Sequence, residues 1–245
     1  MNLNQQICQL YERMDPLFTA FQNSGEYSDV FVTGVSEFAS RKPKKMLVVG
    51  QEARAWRWDE DKKISHEERQ RYAVNYLNAN LGLCEGENLP AVNASAFWEM
   101  MRFIYSETEF FPIWANLDKI HAYRNGVTVP LQTFEEEKRL LARCFDGETL
   151  LQKEIELIQP DAVLFVTGPT YYKATKFALG VEVYGKRGSI SKEDVPCWNG
   201  NRPIQRIHGS SDIPILWTYH PNYAKRTTRM EDYLRLIRDI SVEND

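Results

Sequence analysis

Residues 46–52 read Met46-Leu47-Val48-Val49-Gly50-Gln51-Glu52. Four apolar residues in a row, closed by a glycine, have the pattern of a strand buried on both faces, as in a parallel sheet. A second segment of the same kind, Ala162-Val163-Leu164-Phe165-Val166, ends at Thr167-Gly168-Pro169. Residues 111–116 (FPIWAN) and 213–218 (IPILWT) supply two more. Between these runs the period changes to that of helices. Ile7, Leu10, Tyr11, Met14, Leu17, Phe18 and Phe21 put one apolar face on a helix over 5–23. Ser65 and Glu68 have capping-box spacing and open a helix over 65–81. Further helices are predicted over 94–106, over 133–158 with a break near Asp146-Gly147, over 171–178, and as an amphipathic close over 227–240. Residues 181–208 read as hairpins or loops, and the Arg41–Lys45 run as an exposed loop.

Four short strands alternating with helices predict an α/β fold: a three-layer α/β/α sandwich around a central four-stranded, mostly parallel sheet. No shift in composition divides the chain, so 1–245 is expected to form one domain with an N-terminal helical extension over about 1–40. The 245 residues suffice for a substantial core without staples. Thirty basic against 34 acidic residues give a net charge of −4, which excludes a uniformly basic protein that coats nucleic acid. The four cysteines (Cys8, Cys84, Cys144, Cys197) stand singly, without the C-x-x-C spacing of zinc or iron–sulfur motifs. The N-terminal residues lack a secretory leader pattern and no run of 18 apolar residues occurs, so a soluble, cytoplasmic protein is expected.

In open parallel sheets, ligands bind beyond the carboxyl ends of the strands. Here the first strand runs into Gly50-Gln51-Glu52, the second into Asn116-Leu117-Asp118, the third into Thr167-Gly168-Pro169 and the fourth into Tyr219-His220-Pro221-Asn222-Tyr223. A carboxylate, an amide and an imidazole at such positions can act as acid or base, hydrogen-bonding reader and electrophilic stabiliser.

The order Gly-Gln-acid, then Asn, then His-Pro resembles the uracil-DNA glycosylase superfamily, in the form of a bacterial member with GQE in its first motif. The resemblance spans roughly residues 46–225 and implies that fold. It also implies a monofunctional DNA glycosylase, needing no metal or cofactor, that hydrolyses the bond between deoxyribose and a flipped uracil or other modified or damaged base. Glu52 matches the family's acid, which positions or activates water and offsets charge on an oxocarbenium-like sugar. His220 matches the histidine that stabilises negative charge on the departing base. Asn116 matches the reader of the base's Watson–Crick edge, with Gln51 beside it. Trp56, Phe97 and Trp98 are candidates for the aromatic that stacks on the base, and Trp56 is favoured by its place in the first loop. Thr167, Gly168, Asn222, Tyr223, Lys225 and Arg226 are the expected DNA contacts, with Tyr223 able to wedge or stack.

A plain structural role competes with each assignment. Glu52 can cap a turn or pair with Arg54 or Arg57, Asn116 can cap the turn after its strand, His220 can bond a backbone carbonyl, and the basic residues can be a solvated helix start. The family's usual Pro-Tyr after the acid is replaced by Ala53-Arg54, so the motif does not vouch for uracil as the base. A catalytically inactive module that binds DNA, a nucleotide or a modified base is the alternative. An unrelated α/β hydrolase or nucleotide-binding protein is weakened by the absence of G-x-S-x-G, GxxxxGK[ST] and G-x-G-x-x-G. Charge adds a final expectation. Residues 183–229 carry eight basic residues against three acidic ones. With four more cations in Arg41–Lys45, they are expected to form a basic face around the site.

Overall fold

The computed structural model describes residues 1–23, 27–52, 64–84, 92–124, 127–129, 144–180, 204–206, 213–226 and 230–242. The first apolar run forms β1 (Lys44–Glu52) and the second β2 (Phe110–Asp118). A short hairpin follows, β3 (Ala122–Arg124) with β4 (Val127–Val129). β5 (Ala162–Phe165), β6 (Ile204–Arg206) and β7 (Ile215–Thr218) complete the strands described. The main sheet runs β2-β1-β5-β7-β6. Its first four strands are parallel, and β6 pairs antiparallel with β7. The four parallel strands are the expected central sheet, and β6 adds a short antiparallel strand at its edge. It lies in a stretch that reads as loop, because three residues are too few to carry an alternation signal.

The helices are α1 (Leu3–Gln22), α2 (His66–Asn80), α3 (Ala96–Glu107), α4 (Leu150–Ile158), α5 (Tyr172–Ala178), α6 (Pro221–Arg226) and α7 (Met230–Val242). The Ser65–Glu68 capping box forms as predicted, and Asn2–Gln5 and Thr149–Gln152 make two more. α1 packs with α2 and α4, and α3 packs with α6 and α7. These two groups flank the sheet, giving the three-layer α/β/α sandwich. Met46, Leu47, Val48 and Val49 are buried, as are all nine residues of β2, because helices cover both faces. Ile7, Tyr11, Met14 and Phe18 of α1 belong to the same apolar core as the strands.

Behind the end of β2 lies a buried polar network that no sequence pattern announces. Lys119 Nζ lies 2.7 and 3.0 Å from the two carboxylate oxygens of Glu154 on α4 and 3.2 Å from Thr33 Oγ1. Tyr11 OH of α1 donates to the same carboxylate and accepts from Thr33 N–H. Burial holds the lysine below its usual range, opposed by the Glu154 charge.

The Arg41–Lys45 run is not a loop beside the site. A 3-10 turn (Glu37–Arg41) leads directly into β1, so these cations stand at the amino end of the sheet. That edge is about 26 Å from the other end of the same strand. The cations are engaged there: Arg41 lies over the Phe38 ring, Lys42 donates to Thr108 O, Lys44 pairs with Glu109, and Lys45 donates to Ile158 O.

Candidate functional site

The sheet order decides which motifs meet. β2, β1, β5 and β7 are consecutive and parallel, so Asn116, the Gly50–Glu52 segment, Thr167–Gly168 and His220 follow one another along a single carboxyl edge. The chain goes from β1 to β2 on one side, then crosses to β5 on the other, which makes β1/β5 the switch point where open α/β sheets place their ligands. The Gln51 side-chain amide bridges that point, donating to Thr167 O at 2.7 Å.

Gly50 pairs in register with Asn116, and Glu52 with Asp118. A β-carbon at position 50 would come within 2.7 Å of Asn116 Oδ1 and 3.5 Å of Phe97 Cε2. Only a glycine therefore lets the amide and the Phe97 ring close over the end of β1. Asn116 is 2% exposed, and its Nδ2 has no hydrogen-bond partner among the described residues. A buried amide donor left unmatched costs on the order of 1–3 kcal/mol, so it is a group built to meet an acceptor. It does not cap the turn after its strand.

Phe97 stands on the first turn of α3, against Trp98 and Trp114 at centroid distances of 5.3 and 6.3 Å. That cluster fixes its ring beside Asn116. Trp56 lies outside the described residues. Trp98 is buried against Phe97 and Trp114, so of the aromatic candidates Phe97 is the one seen at the amide.

On the far side, Gly168 has φ +70°, and a β-carbon there would meet the backbone nitrogen of His220 at 3.4 Å. Gly168 N–H donates to Thr218 O, and Thr167 Oγ1 bonds Thr175 Oγ1 at 3.0 Å. Gly168 thus joins the end of β5 to β7 and Thr167 ties it to α5, with Thr167 fully buried rather than turned outward. His220 directly precedes α6, and its Nδ1 accepts the Asn222 N–H at 3.2 Å. That bond assigns the proton of the neutral ring to Nε2. Asn222 contributes this backbone contact while Tyr223 is 54% exposed, its ring stacked on Tyr219 at 4.8 Å. Lys225 pairs with Glu99 of α3 at 3.2 Å, and Arg226 is exposed at the end of α6. Of the other basic residues in 183–229, Lys186, Arg187, Lys192, Arg202 and Arg229 lie outside the described residues.

No known family model matches the chain, and no curated protein matches it. Among the described residues, no three His, Cys, Asp or Glu side chains are grouped to hold a metal ion, and no helix is long and apolar enough to cross a membrane.

Proposed function

We propose that this protein is a monofunctional DNA glycosylase, hydrolysing the bond between deoxyribose and a flipped uracil or other modified base. The observation that carries the reading is the Gly50–Asn116–Phe97 arrangement: a buried, unmatched amide donor beside an aromatic ring, at the carboxyl edge of the sheet next to the β1/β5 switch point. A flipped base needs both contacts, an edge reader and a stacking face.

The chemistry assigns the other strand ends. As the C1′–N bond breaks, its electron pair leaves with the base and positive charge grows on the sugar. His220 Nε2–H donates to the oxygen on which the base carries its negative charge. Glu52 offsets the sugar's charge and takes a proton from the water whose oxygen adds to C1′. The base leaves as an anion and is protonated by solvent, and an abasic site remains. Tyr223 and Arg226, exposed at the start and end of α6, are suited to the gap left by the base and to a neighbouring phosphate. The protein is read as acting on DNA in the cytoplasm.

The test is a panel of end-labelled oligonucleotides, single- and double-stranded, each carrying one uracil, hypoxanthine, xanthine, alkylated or hydroxymethylated base. Release of one base, seen as alkali-labile cleavage at that position, supports the reading. Binding of the oligonucleotides without release of any base favours the inactive binding module.

A further inference from the structure

Tyr233 belongs to none of the roles assigned so far. On α7, Met230, Tyr233, Leu234 and Ile237 recur at helical spacing and turn one face inward, with Tyr233 and Ile237 buried. A phenylalanine would fill an apolar face as well. A buried hydroxyl costs free energy unless it is bonded, so its partners decide what it is for. The Tyr233 oxygen lies 3.2 Å from Tyr219 O and 3.5 Å from Met100 Sδ of α3, and the Thr218 side chain bonds it too. A hydroxyl has one proton to give, and a carbonyl oxygen is a better acceptor than a thioether. The Tyr233 hydroxyl therefore donates to Tyr219 O. Burial raises its pKa, so it stays a donor at neutral and moderately alkaline pH.

Tyr219 O belongs to the peptide unit that leads into His220. The oxygen and nitrogen of one peptide unit share a rigid plane. The nitrogen of this unit, His220 N, abuts Gly168, 3.4 Å from where a β-carbon would stand. The unit is thus confined at both ends, by the Tyr233 hydroxyl at its oxygen and by the end of β5 at its nitrogen. Beyond it, the His220 carbonyl accepts the Tyr223 N–H at 2.8 Å, and the ring Nδ1 accepts the Asn222 N–H at 3.2 Å. The imidazole is therefore oriented by its own backbone and by the first turn of α6. We infer that Tyr233 is a positioning residue for His220: by holding the Tyr219 carbonyl, its hydroxyl fixes the peptide plane from which the imidazole hangs and keeps Nδ1 on the Asn222 N–H. The inference rests on the glycosylase reading for its catalytic meaning, in which His220 donates through Nε2, though not for its measurement. A donor displaced by about 1 Å forfeits up to about a hundredfold in rate, so the carbonyl clamp is a lever on the chemical step.

The experiment is a two-bond proton–nitrogen NMR spectrum of the imidazoles in the full chain at about pH 8, above the ordinary histidine range. His220 is assigned by its loss in His220→Ala. In the wild type the His220 ring is expected as the Nε2–H tautomer. Tyr233→Phe removes one oxygen and keeps the ring that packs on α3. In that variant the two His220 nitrogen signals are expected to draw together, as both tautomers become populated. Single-turnover base release should fall by about tenfold or more with DNA affinity unchanged, and Tyr233→Phe should add nothing in a His220→Ala background. A wild-type ring protonated on Nδ1 overturns the inference. So does a Tyr233→Phe protein that is less stable but keeps the wild-type tautomer, since the hydroxyl then serves packing alone. If Tyr233→Phe does not fold, the wild type decides: exchange of the Tyr233 hydroxyl proton for deuterium should shift the Tyr219 carbonyl-carbon signal, and no shift overturns the inference. A His220 tautomer that Tyr233→Phe moves, in a protein that releases no base, would retain the positioning role and reject the glycosylase reading.

Discussion

Gly50 and Asn116 face each other across the β1–β2 register so closely that a β-carbon on the glycine would lie 2.7 Å from Asn116 Oδ1. The glycine makes room for the amide, and the amide is the unmatched donor of the site. Gly50→Ala should therefore act on function as well as on folding. It pushes Asn116 off its position at a cost of about 1–3 kcal/mol in stability, as overpacking does. Base release should fall by at least tenfold, and urea denaturation beside single-turnover assays separates the two effects.

The Lys119–Glu154 pair is buried on both sides, at 4% and 0% side-chain exposure. Lys119→Met leaves the Glu154 carboxylate without its cation in the interior. Urea denaturation should report a loss of about 3–5 kcal/mol. Lys119→Met combined with Glu154→Leu should recover most of it, because no unpaired charge then remains.

Stability should decline in alkali. Burial pushes the Cys8 thiol up to about 12, with the Glu67 and Glu12 charges adding to the effect. Burial and then the Glu154 charge raise the Tyr11 hydroxyl, and burial raises that of Tyr233. A raised folded-state pKa means that the folded chain keeps a proton which the unfolded chain releases. The contribution of Cys8 is therefore intact below about pH 9 and is lost as the pH climbs toward 12. Lys119, lowered by burial, works in the opposite sense below 10.5. In denaturation curves measured across this window, Cys8→Ala should flatten the fall by up to about 1.4 kcal/mol per pH unit.

The two basic segments should separate in DNA binding. Arg226 is exposed beside the site, whereas Lys42 and Lys45 hold backbone carbonyls at the opposite edge of the sheet. Arg226→Ala should weaken DNA binding and lower the slope of log affinity against log salt by about one. Lys42→Ala and Lys45→Ala should leave that slope unchanged.

The strands were legible because burial on both faces leaves continuous apolar runs such as Met46–Val49, and Ser65 marks its helix start by capping chemistry, whereas the Asn2 cap lies three residues before the helix predicted over 5–23 and was missed. β6 was not legible, since Ile204–Arg206 is too short to show a period. Among site residues, Gly50, Asn116 and His220 could be found from their places after apolar strands, and the sheet order then aligned those strands side by side. The placing of Phe97 depended on how α3 packs against β2, which spacing does not encode. The misjudged Arg41–Lys45 cluster has the same origin. Nearness in sequence to a motif strand does not tell which end of that strand a charge occupies.

Single-turnover base release by the wild type, Glu52→Gln, Asn116→Ala and His220→Ala, with DNA affinity measured in parallel, tests most directly whether the ends of β1, β2 and β7 form one catalytic site. All three variants should bind DNA within a few-fold of wild type, except for Asn116→Ala on the damaged base. Glu52→Gln and His220→Ala should each lose at least a hundredfold in the chemical step, the scale set by removing a general base or an oxyanion donor. Release that persists at the wild-type rate in Glu52→Gln and His220→Ala, or that is absent from the wild type for every base, would contradict it.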